Sequence, residues 1–532
     1  MSSIQDESYQ QRITLICKPE QSGKTFVMIQ QIIRDLKDPS LEKIVINIIL
    51  CDNNLLLTKQ TSERVKNDLS PLVEVNGESY LEFSSHARTE YRCAVAVEGA
   101  ISVQDIRNIL CCTNGTRVDD IYTIIRDLNN SEINKDKFFF KIWLDEADKY
   151  TGFIDTTFLP LVEKYENVAV YCITATPKKL FTKYDSFNVF PLENTTSEYY
   201  HGWSDNILRF VDFQSTCVGF AEYVLDNMGK EYIQPGTKWY IPADYKKKTH
   251  IAMKAVCVKR KFAVIIVNGS GIKLYLPDLE IIEFKKDDEL NTIIKRIYGR
   301  YELHKYPLAI TGNVCIGRGI SIMSKDFMID YAILSSCYNQ QEASQNAGRV
   351  KGNIKSWTTY KPPMVFTTEQ FNKIAVEWEE KSRGLARLAF DKELLGKSTI
   401  ITKTEFKTIG ENFRYIVHDE LFPSYSKAVG FLKTISKTKM KMKTSISGKK
   451  GAIHIVDGGY SVTSKLLKPG QTVDSLEASD RLTMDKASQI GEGTNISSTD
   501  KGSRYLILPV YETMDSPPNS VRFQVRYISF DE

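Results

Sequence analysis

Short apolar runs alternate with longer stretches of helical periodicity over roughly the first two thirds of the chain. The run ITLIC, between Arg12 and Cys17, leads into a polar loop ending in SGKT and then into FVMIQQIIRDL, whose apolar positions recur at helical spacing. A short run with four apolar residues in five reads as a buried strand, and the stretch after the loop as a helix with one apolar stripe. Further buried strands are predicted at IVINIIL, residues 44–50, at FFFKIWL just before Asp145 and Glu146, and at VAVYCITAT, residues 168–176. Strands that alternate with helices fold into a parallel sheet wrapped by helices, so an α/β domain is expected here.

The pattern restarts after about residue 205, with strand candidates at TKWYIP, FAVIIVNG and PLAITG and a clear helical stretch at DELNTIIKRIYGRY. A second α/β domain follows from it, and no short-period repeat relates the two halves. Beyond about residue 380 the character shifts. The stretch Leu432–Lys450, LKTISKTKMKMKTSISGKK, is rich in lysine and holds no acidic residue, and residues 470–504 are rich in Ser, Thr, Asp and Gly. The first is either a phosphate-binding face or a solvated basic loop, in which Met440 and Met442 alternate with lysine as on an edge strand; the second reads as a flexible loop. The final segment reads as two strands around a Pro-containing turn. The expected organisation is thus 1–205, 206–380 and an accessory α+β region, 381–532.

Length agrees with that division, since 532 residues exceed the ~250–300 that a single core supports. A net charge of +4, with 26% charged residues, is too mild to require a polyanionic partner, so any nucleic-acid surface is local. Ten cysteines occur without a C-x-x-C pair, which speaks against zinc sites and a disulfide framework and for a reducing compartment. The N-terminus is polar where a signal peptide is basic then apolar, and no apolar run approaches the ~20 residues of a membrane span. A soluble protein of the cell interior, cytoplasmic or nuclear, with no membrane partner is expected. Six histidines, at 86, 201, 250, 304, 418 and 454, lack metal-ligand spacing.

Candidate chemistry begins at KPEQSGKT, residues 18–25, between a predicted strand and a predicted helix. In a phosphate-cradling loop the backbone N–H groups of Gln21, Ser22 and Gly23 face the phosphates, Lys24 reaches the β and γ oxygens, and the Thr25 hydroxyl binds Mg²⁺. The full pattern asks for glycine where this chain has Lys18, and an ordinary polar loop with an exposed lysine is the alternative. KIWLDEAD supplies the partner: Asp145 can hold Mg²⁺ through water and Glu146 can orient and deprotonate an attacking water. Taken alone, two carboxylates at a strand end read as a solvated turn. A phosphate loop on a neighbouring strand of the same sheet changes that reading.

With these residues in place, the chain resembles the superfamily 2 helicases over residues 12–385, and more loosely the helicase-like ATPases of large DNA viruses. Five stretches carry the resemblance in the family's order: KPEQSGKT as motif I, DEAD at 145–148 as motif II, TATP at 174–177 as motif III, TGNVCIGRGIS at 311–321 as motif V and QNAGRVKG at 345–352 as motif VI. The resemblance implies two tandem RecA-like domains that hydrolyse ATP with Mg²⁺ in the cleft between them and act on DNA or RNA. It implies that Asp148, Thr174 and Thr176 couple hydrolysis to domain movement, that Gly319 lies near the domain interface, and that Gln345 and Arg349 reach across to the γ-phosphate. A viral origin would place the protein in the host cell or the virion.

Residues 52–64, DNNLLLTKQTSER, and 113–117, TNGTR, resemble the loops that line the family's nucleic-acid groove; a capped helix and a polar turn are the alternative. The departures are Lys18, the short polar tail before the first strand, Ser321 where relatives carry Asp, and Gly352 at the last arginine of motif VI, with Lys351 beside it as a partial replacement. The loss of that last cation leaves a second reading, a nucleotide-switched nucleic-acid-binding module that separates no strands. A P-loop enzyme acting on a small molecule is a third, in which motifs V and VI would have no purpose.

Overall fold

The apolar runs become buried strands where their pattern predicts them. In a computed structural model the described residues are 12–38, 40–53, 55–76, 80–83, 93–103, 106–134, 136–277, 281–285, 288–312, 321–335, 340–411, 413–441, 481–489, 496 and 504–530. They form two units, one running to Ile400 except for Tyr184–Ser186, the other made of those three residues and the chain from Ile401 onward.

The first unit contains two helix-flanked sheets. One is built from β1 (Ile13–Cys17), β2 (Ile44–Cys51), β3 (Tyr80–Phe83), β4 (Asn108–Cys112), β5 (Phe138–Asp145), β6 (Val168–Thr174) and β7 (Ser186–Val189), in the spatial order β7-β1-β6-β5-β2-β4-β3. The pairs within it from β1 to β6 are parallel. Ile16, Ile49, Leu110, Trp143 and Ile173 share one core with Met28, Ile29 and Ile32 of the helix Lys24–Lys37. Two asparagines inside these strands are satisfied within the sheet: Trp143 Nε1 donates to Asn47 Oδ1 at 3.0 Å, and Asn47 Nδ2 to Asn108 Oδ1 at 3.3 Å, as buried polar groups require.

The second sheet has eight strands. After the short β8 (Tyr200–His201) come β9 (Ile207–Phe210), β10 (Lys238–Tyr240), β11 (Ala263–Asn268), β12 (Gly271–Tyr275), β13 (Ile282–Phe284), β14 (Leu308–Gly312) and β15 (Tyr331–Leu334). They are followed by β16 (Gly352–Asn353), which pairs with β8, and β17 (Met364–Thr367). The sheet's order is β13-β12-β11-β14-β10-β15-β17-β9. From β11 to β9 all pairs are parallel, and only β12 and β13 turn back as an antiparallel edge. Both faces are covered, one by Ile293, Ile294, Ile297 and Phe371, the other by Phe220, Val224, Met253 and Cys257. Two mostly parallel sheets, each flanked by helices, are the tandem RecA-like architecture expected above.

The second unit is an antiparallel sheet of Arg414–Val417, Arg522–Ser529 and Tyr505–Val510. The predicted terminal hairpin forms two of its three strands. Ala428, Leu432 and Ile435 of the helix Tyr425–Ile435 pack on one face with Tyr505, Ile507 and Val525, while Leu482 and Ala487 pack on the other with Leu506, Leu508 and Ile528. That second contact corrects the reading of residues 470–504 as a flexible loop for the part described. Arg481, Leu482 and Thr483 are buried and lead into the helix Met484–Gln489, because Leu482 and Ala487 supply just enough apolar surface to dock a polar stretch. Met442 lies outside the described residues, and Met440 is buried beyond the end of a helix instead of on an edge strand.

Candidate active site

The parallel order of the first sheet brings three chain reversals to one edge. Cys17 pairs with Thr174, and Ile173 with Asp145, so the loop after β1, the DEAD stretch after β5 and the TATP stretch after β6 leave the sheet at the same level. The sequence suggests β1 and β5 as neighbours, but β6 lies between them. That insertion puts Thr174 within reach of the DEAD stretch. The Thr174 hydroxyl donates to Asp148 Oδ1 at 2.7 Å and accepts from the Thr176 N–H at 2.9 Å, with all three residues buried.

A cavity of about 540 Å³ opens at this edge. From the first sheet's side it is lined by Gln21, Gly23, Lys24, Thr25, Asp145 and Glu146, and from the second sheet's side by Gln345 and Arg349 among others. The two motif VI residues sit on the helix Gln340–Ala347 and the tight turn Gly348–Val350 that follows it. Three cavity residues adopt left-handed backbone: Gln21 at φ 57°, Gly23 at φ 97° and Glu146 at φ 52°. For Gly23 this is cheap, whereas a non-glycine residue held there costs about 1–3 kcal/mol, strain of the sort that gathers at functional sites. The Glu146 N–H donates to Asp145 Oδ1 at 3.0 Å.

Electrostatics in the cavity are set by burial against nearby charge. Burial pushes the Asp145 carboxyl above its ordinary value, with Lys24 opposing it. Burial lowers the guanidinium values of Arg349 and Arg64, in the latter case against Glu289, Asp145 and Asp68. Arginine nevertheless stays protonated in proteins, so the cavity holds fixed positive charge from Arg64 and Arg349 beside the Lys24 side chain. Gln345 Nε2 is buried and has no hydrogen-bond partner among the described residues, which leaves a donor open to an acceptor.

Among the sequence-predicted residues Ser22 behaves differently. Its N–H and its hydroxyl both donate to the Pro19 carbonyl, at 3.3 and 2.7 Å, so it closes the loop on itself and does not line the cavity. Lys18 is buried without left-handed backbone, so the loop needs no glycine there. Gly319 and most of motif V lie outside the described residues; of that motif, Ser321 lines the cavity and donates to Gln21 Oε1 at 3.1 Å. Lys351 does not stand in for the missing arginine. It is buried with its ammonium between Glu20, at 2.7 Å, and Glu379, at 3.2 Å.

The two segments compared with nucleic-acid loops are largely occupied at home. Asp52 is buried and accepts from Lys149 and the Tyr150 hydroxyl. Asn114 caps the helix Gly115–Asn130 by accepting the Arg117 N–H at 3.1 Å, and Arg117 pairs with Asp120 at 2.8 Å over the Phe83 ring. The stretch 113–117 is thus the capped start of a helix and not the polar turn of the alternative. In 52–64, Gln60, Thr61 and Arg64 turn to the cavity wall. Sequence reasoning missed Arg64 and Glu20 as cavity residues. For Glu20 a signal existed, an acid inside a phosphate-type loop.

No protein-family model matches the chain, and no curated protein sequence matches it. Solved structures do. One is "S. cerevisiae Dbp5 bound to RNA and ADP BeF3", 14% identical with a TM-score of 0.38 over 70% of this chain and 83% of that one. Another is the Mycobacterium smegmatis helicase Lhr bound to ssDNA and AMP-PNP, 9% identical with a TM-score of 0.37 over 73% of this chain and 46% of that one, so this chain spans less than half of Lhr.

Proposed function

We propose that the chain is an ATP hydrolase that works with Mg²⁺ as a nucleic-acid helicase or translocase. The observation that supports this reading most is the cavity that joins Lys24, Thr25, Asp145 and Glu146 to Gln345 and Arg349. Its size suits a nucleotide, within the ~300–1,000 Å³ usual for small-ligand sites. Its polar wall suits phosphate: the buried Arg349, Arg64 at the rim, Lys24 at the N-terminus of a 14-residue helix, and the unsatisfied Gln345 amide. For Mg²⁺, the Thr25 hydroxyl and the Asp145 carboxylate are the available oxygens, and the described residues hold no cluster of three or more metal-ligating side chains. Few protein ligands, completed by water and phosphate, are what this ion takes. When bound it neutralises charge on the transferred phosphoryl group.

The chain's own residues then divide the work. Lys24 binds phosphate oxygens, and Glu146, held in strained backbone at the end of β5, orients water and takes its proton. Arg349, brought from the second sheet, stabilises the charge that develops on the phosphoryl oxygens. Asp148, bonded to Thr174, links the site to the strand between β1 and β5 and is the natural route for coupling hydrolysis to movement. DNA or RNA is the partner, bound through its phosphates.

Steady-state ATP hydrolysis with and without single-stranded RNA or DNA tests this directly. Wild-type turnover should rise with one polymer, and Glu146→Gln should lower it by about 10²–10⁴-fold, the usual worth of a general base. Absence of turnover, or full activity in Lys24→Ala and Glu146→Gln, rules the reading out. One observation favours the nucleotide-switched binding module: Lys351 is committed to Glu20 and Glu379 and cannot replace the missing arginine. Strand-displacement assays beside ATPase assays separate the two.

A further inference from the structure

One residue of the loop after β1 directs its carboxylate into the second sheet's motif VI segment. The Glu20 side chain accepts from the Ser344 hydroxyl on one oxygen and from Lys351 Nζ on the other, the latter at 2.7 Å. A Cβ on Gly348 would fall 2.8 Å from the Glu20 Cβ, so glycine is what lets the 348 backbone lie this close against the Glu20 side chain. The Tyr200 hydroxyl donates to the Glu20 carbonyl at 3.0 Å. Lys351 also meets Glu379, which accepts the Trp203 N–H at 2.9 Å and pairs with Arg383 at 2.7 Å. Glu20 and Lys351 are 5% and 1% exposed. Burial works against both charges, but the opposite partner outweighs it, keeping the Glu20 carboxyl below its ordinary value and the Lys351 ammonium above its own.

The three contacts of Glu20 bracket Arg349: Ser344 five residues before it, Gly348 one before and Lys351 two after. The loop that carries Lys24 is thereby keyed directly to the segment that carries Arg349. Stability alone does not call for such a pair, since an apolar pair of similar volume is often as stable or more so, whereas losing one partner leaves an uncompensated buried charge. What a charged, hydrogen-bonded bridge adds is fixed distance and direction.

We propose that Glu20 is a positioning residue for the ATPase reaction: through Ser344, Gly348 and Lys351 it sets the Arg349 guanidinium against the phosphate loop. The inference rests on the ATPase reading above. It assigns Lys351 to holding the arginine segment in place, so that the position next to the missing finger serves geometry instead of charge stabilisation on phosphate.

The test compares wild type, Glu20→Gln, Lys351→Met and the double variant, each by denaturant midpoint and by kcat and KM for ATP. Both single variants should lose midpoint. The double variant, with no unpaired buried charge, should recover the wild-type midpoint while its kcat stays about 10²-fold low, the scale of a small misplacement of a reacting group, with KM within about threefold. A double variant that recovers turnover along with stability overturns the inference and makes the pair a scaffold. If the double variant does not fold, Glu20→Asp decides, since it keeps the charge and shortens the reach by one methylene: reduced kcat at unchanged KM supports positioning, and wild-type kcat overturns it. Absence of turnover in the wild type overturns the ATPase reading and this inference together, whereas wild-type turnover with a fully active double variant overturns this inference alone.

Discussion

Lysine is used in two opposite ways in this molecule. In the first unit Lys351 is 1% exposed and held between two carboxylates. In the second unit the helix Tyr425–Ile435 and the turn after it bury Ala428, Leu432, Ile435 and Met440 and leave Lys427, Lys433, Lys437, Lys439 and Lys441 exposed, with no acidic residue between Tyr425 and Lys441. None of these five ammonium groups makes an ion pair among the described residues. A buried charge must be paired, so its partners fix where the chain runs. An exposed one contributes little to stability and stays available to an anion from outside. The cavity should therefore fail abruptly when a single residue changes, and the lysine face should lose function in small, equal steps.

The largest expected effect lies at Arg349. Its guanidinium is almost wholly buried on the cavity wall, and lysine cannot reproduce a planar fork at such a place. Arg349→Lys should cut turnover by about 10³-fold or more, as loss of an arginine finger does, while nucleotide affinity falls by no more than about tenfold. Single-turnover hydrolysis beside equilibrium binding of a non-hydrolysable analogue reads both. Turnover that survives would make the second sheet's contribution dispensable and remove the sharp half of the comparison.

A smaller effect is expected at Thr174. Valine has nearly the same shape but lacks the hydroxyl that donates to Asp148 at 2.7 Å and accepts from Thr176 at 2.9 Å. Thr174→Val should lower stability by about 1–3 kcal/mol, the cost of withdrawing one buried partner from a polar group, read as a shift of the urea midpoint at constant slope. An unchanged midpoint would mean that these buried polar groups are not held as tightly as the ion pair between Glu20 and Lys351.

How much of this was legible beforehand follows from what is local in sequence. Strands such as ITLIC and FFFKIWL are short apolar runs broken by one polar residue each, and their neighbours Lys24, Thr25, Asp145 and Glu146 are fixed by chain distance to the strand ends, so both the sheets and the heart of the cavity could be read. Strand order could not: only the fold shows β6 between β1 and β5, which is what places Thr174 on Asp148. Nor could the partners of Glu20 and Lys351, which lie 331 residues apart in the chain and meet only because two sheets face one cavity. Ser22 departs from its expected place for a different reason, since a short serine hydroxyl finds the Pro19 carbonyl of its own loop more readily than an outside ligand. Arg64 belongs to a segment that resembles a nucleic-acid loop, and the face of its helix that meets the cavity is set by packing and not by spacing alone.

The lysine face carries the smallest and most graded prediction. Each lysine that neutralises a nucleic-acid phosphate releases about 0.7–0.9 of a counterion, depending on whether the polymer is single- or double-stranded. Replacing Lys433, Lys437 and Lys439 by glutamine should therefore flatten the slope of log affinity against log salt by about two to three if all three contact phosphate. Stability should stay within about 0.5 kcal/mol, because none of the three is buried or paired. The steps should be additive, so that the single variants sum to the triple, in contrast to the buried pair, where the double substitution is milder for stability than either single one. Fluorescence anisotropy with one labelled oligonucleotide across a salt series measures the slope. A slope unchanged in the triple variant would leave these three lysines as solvated surface.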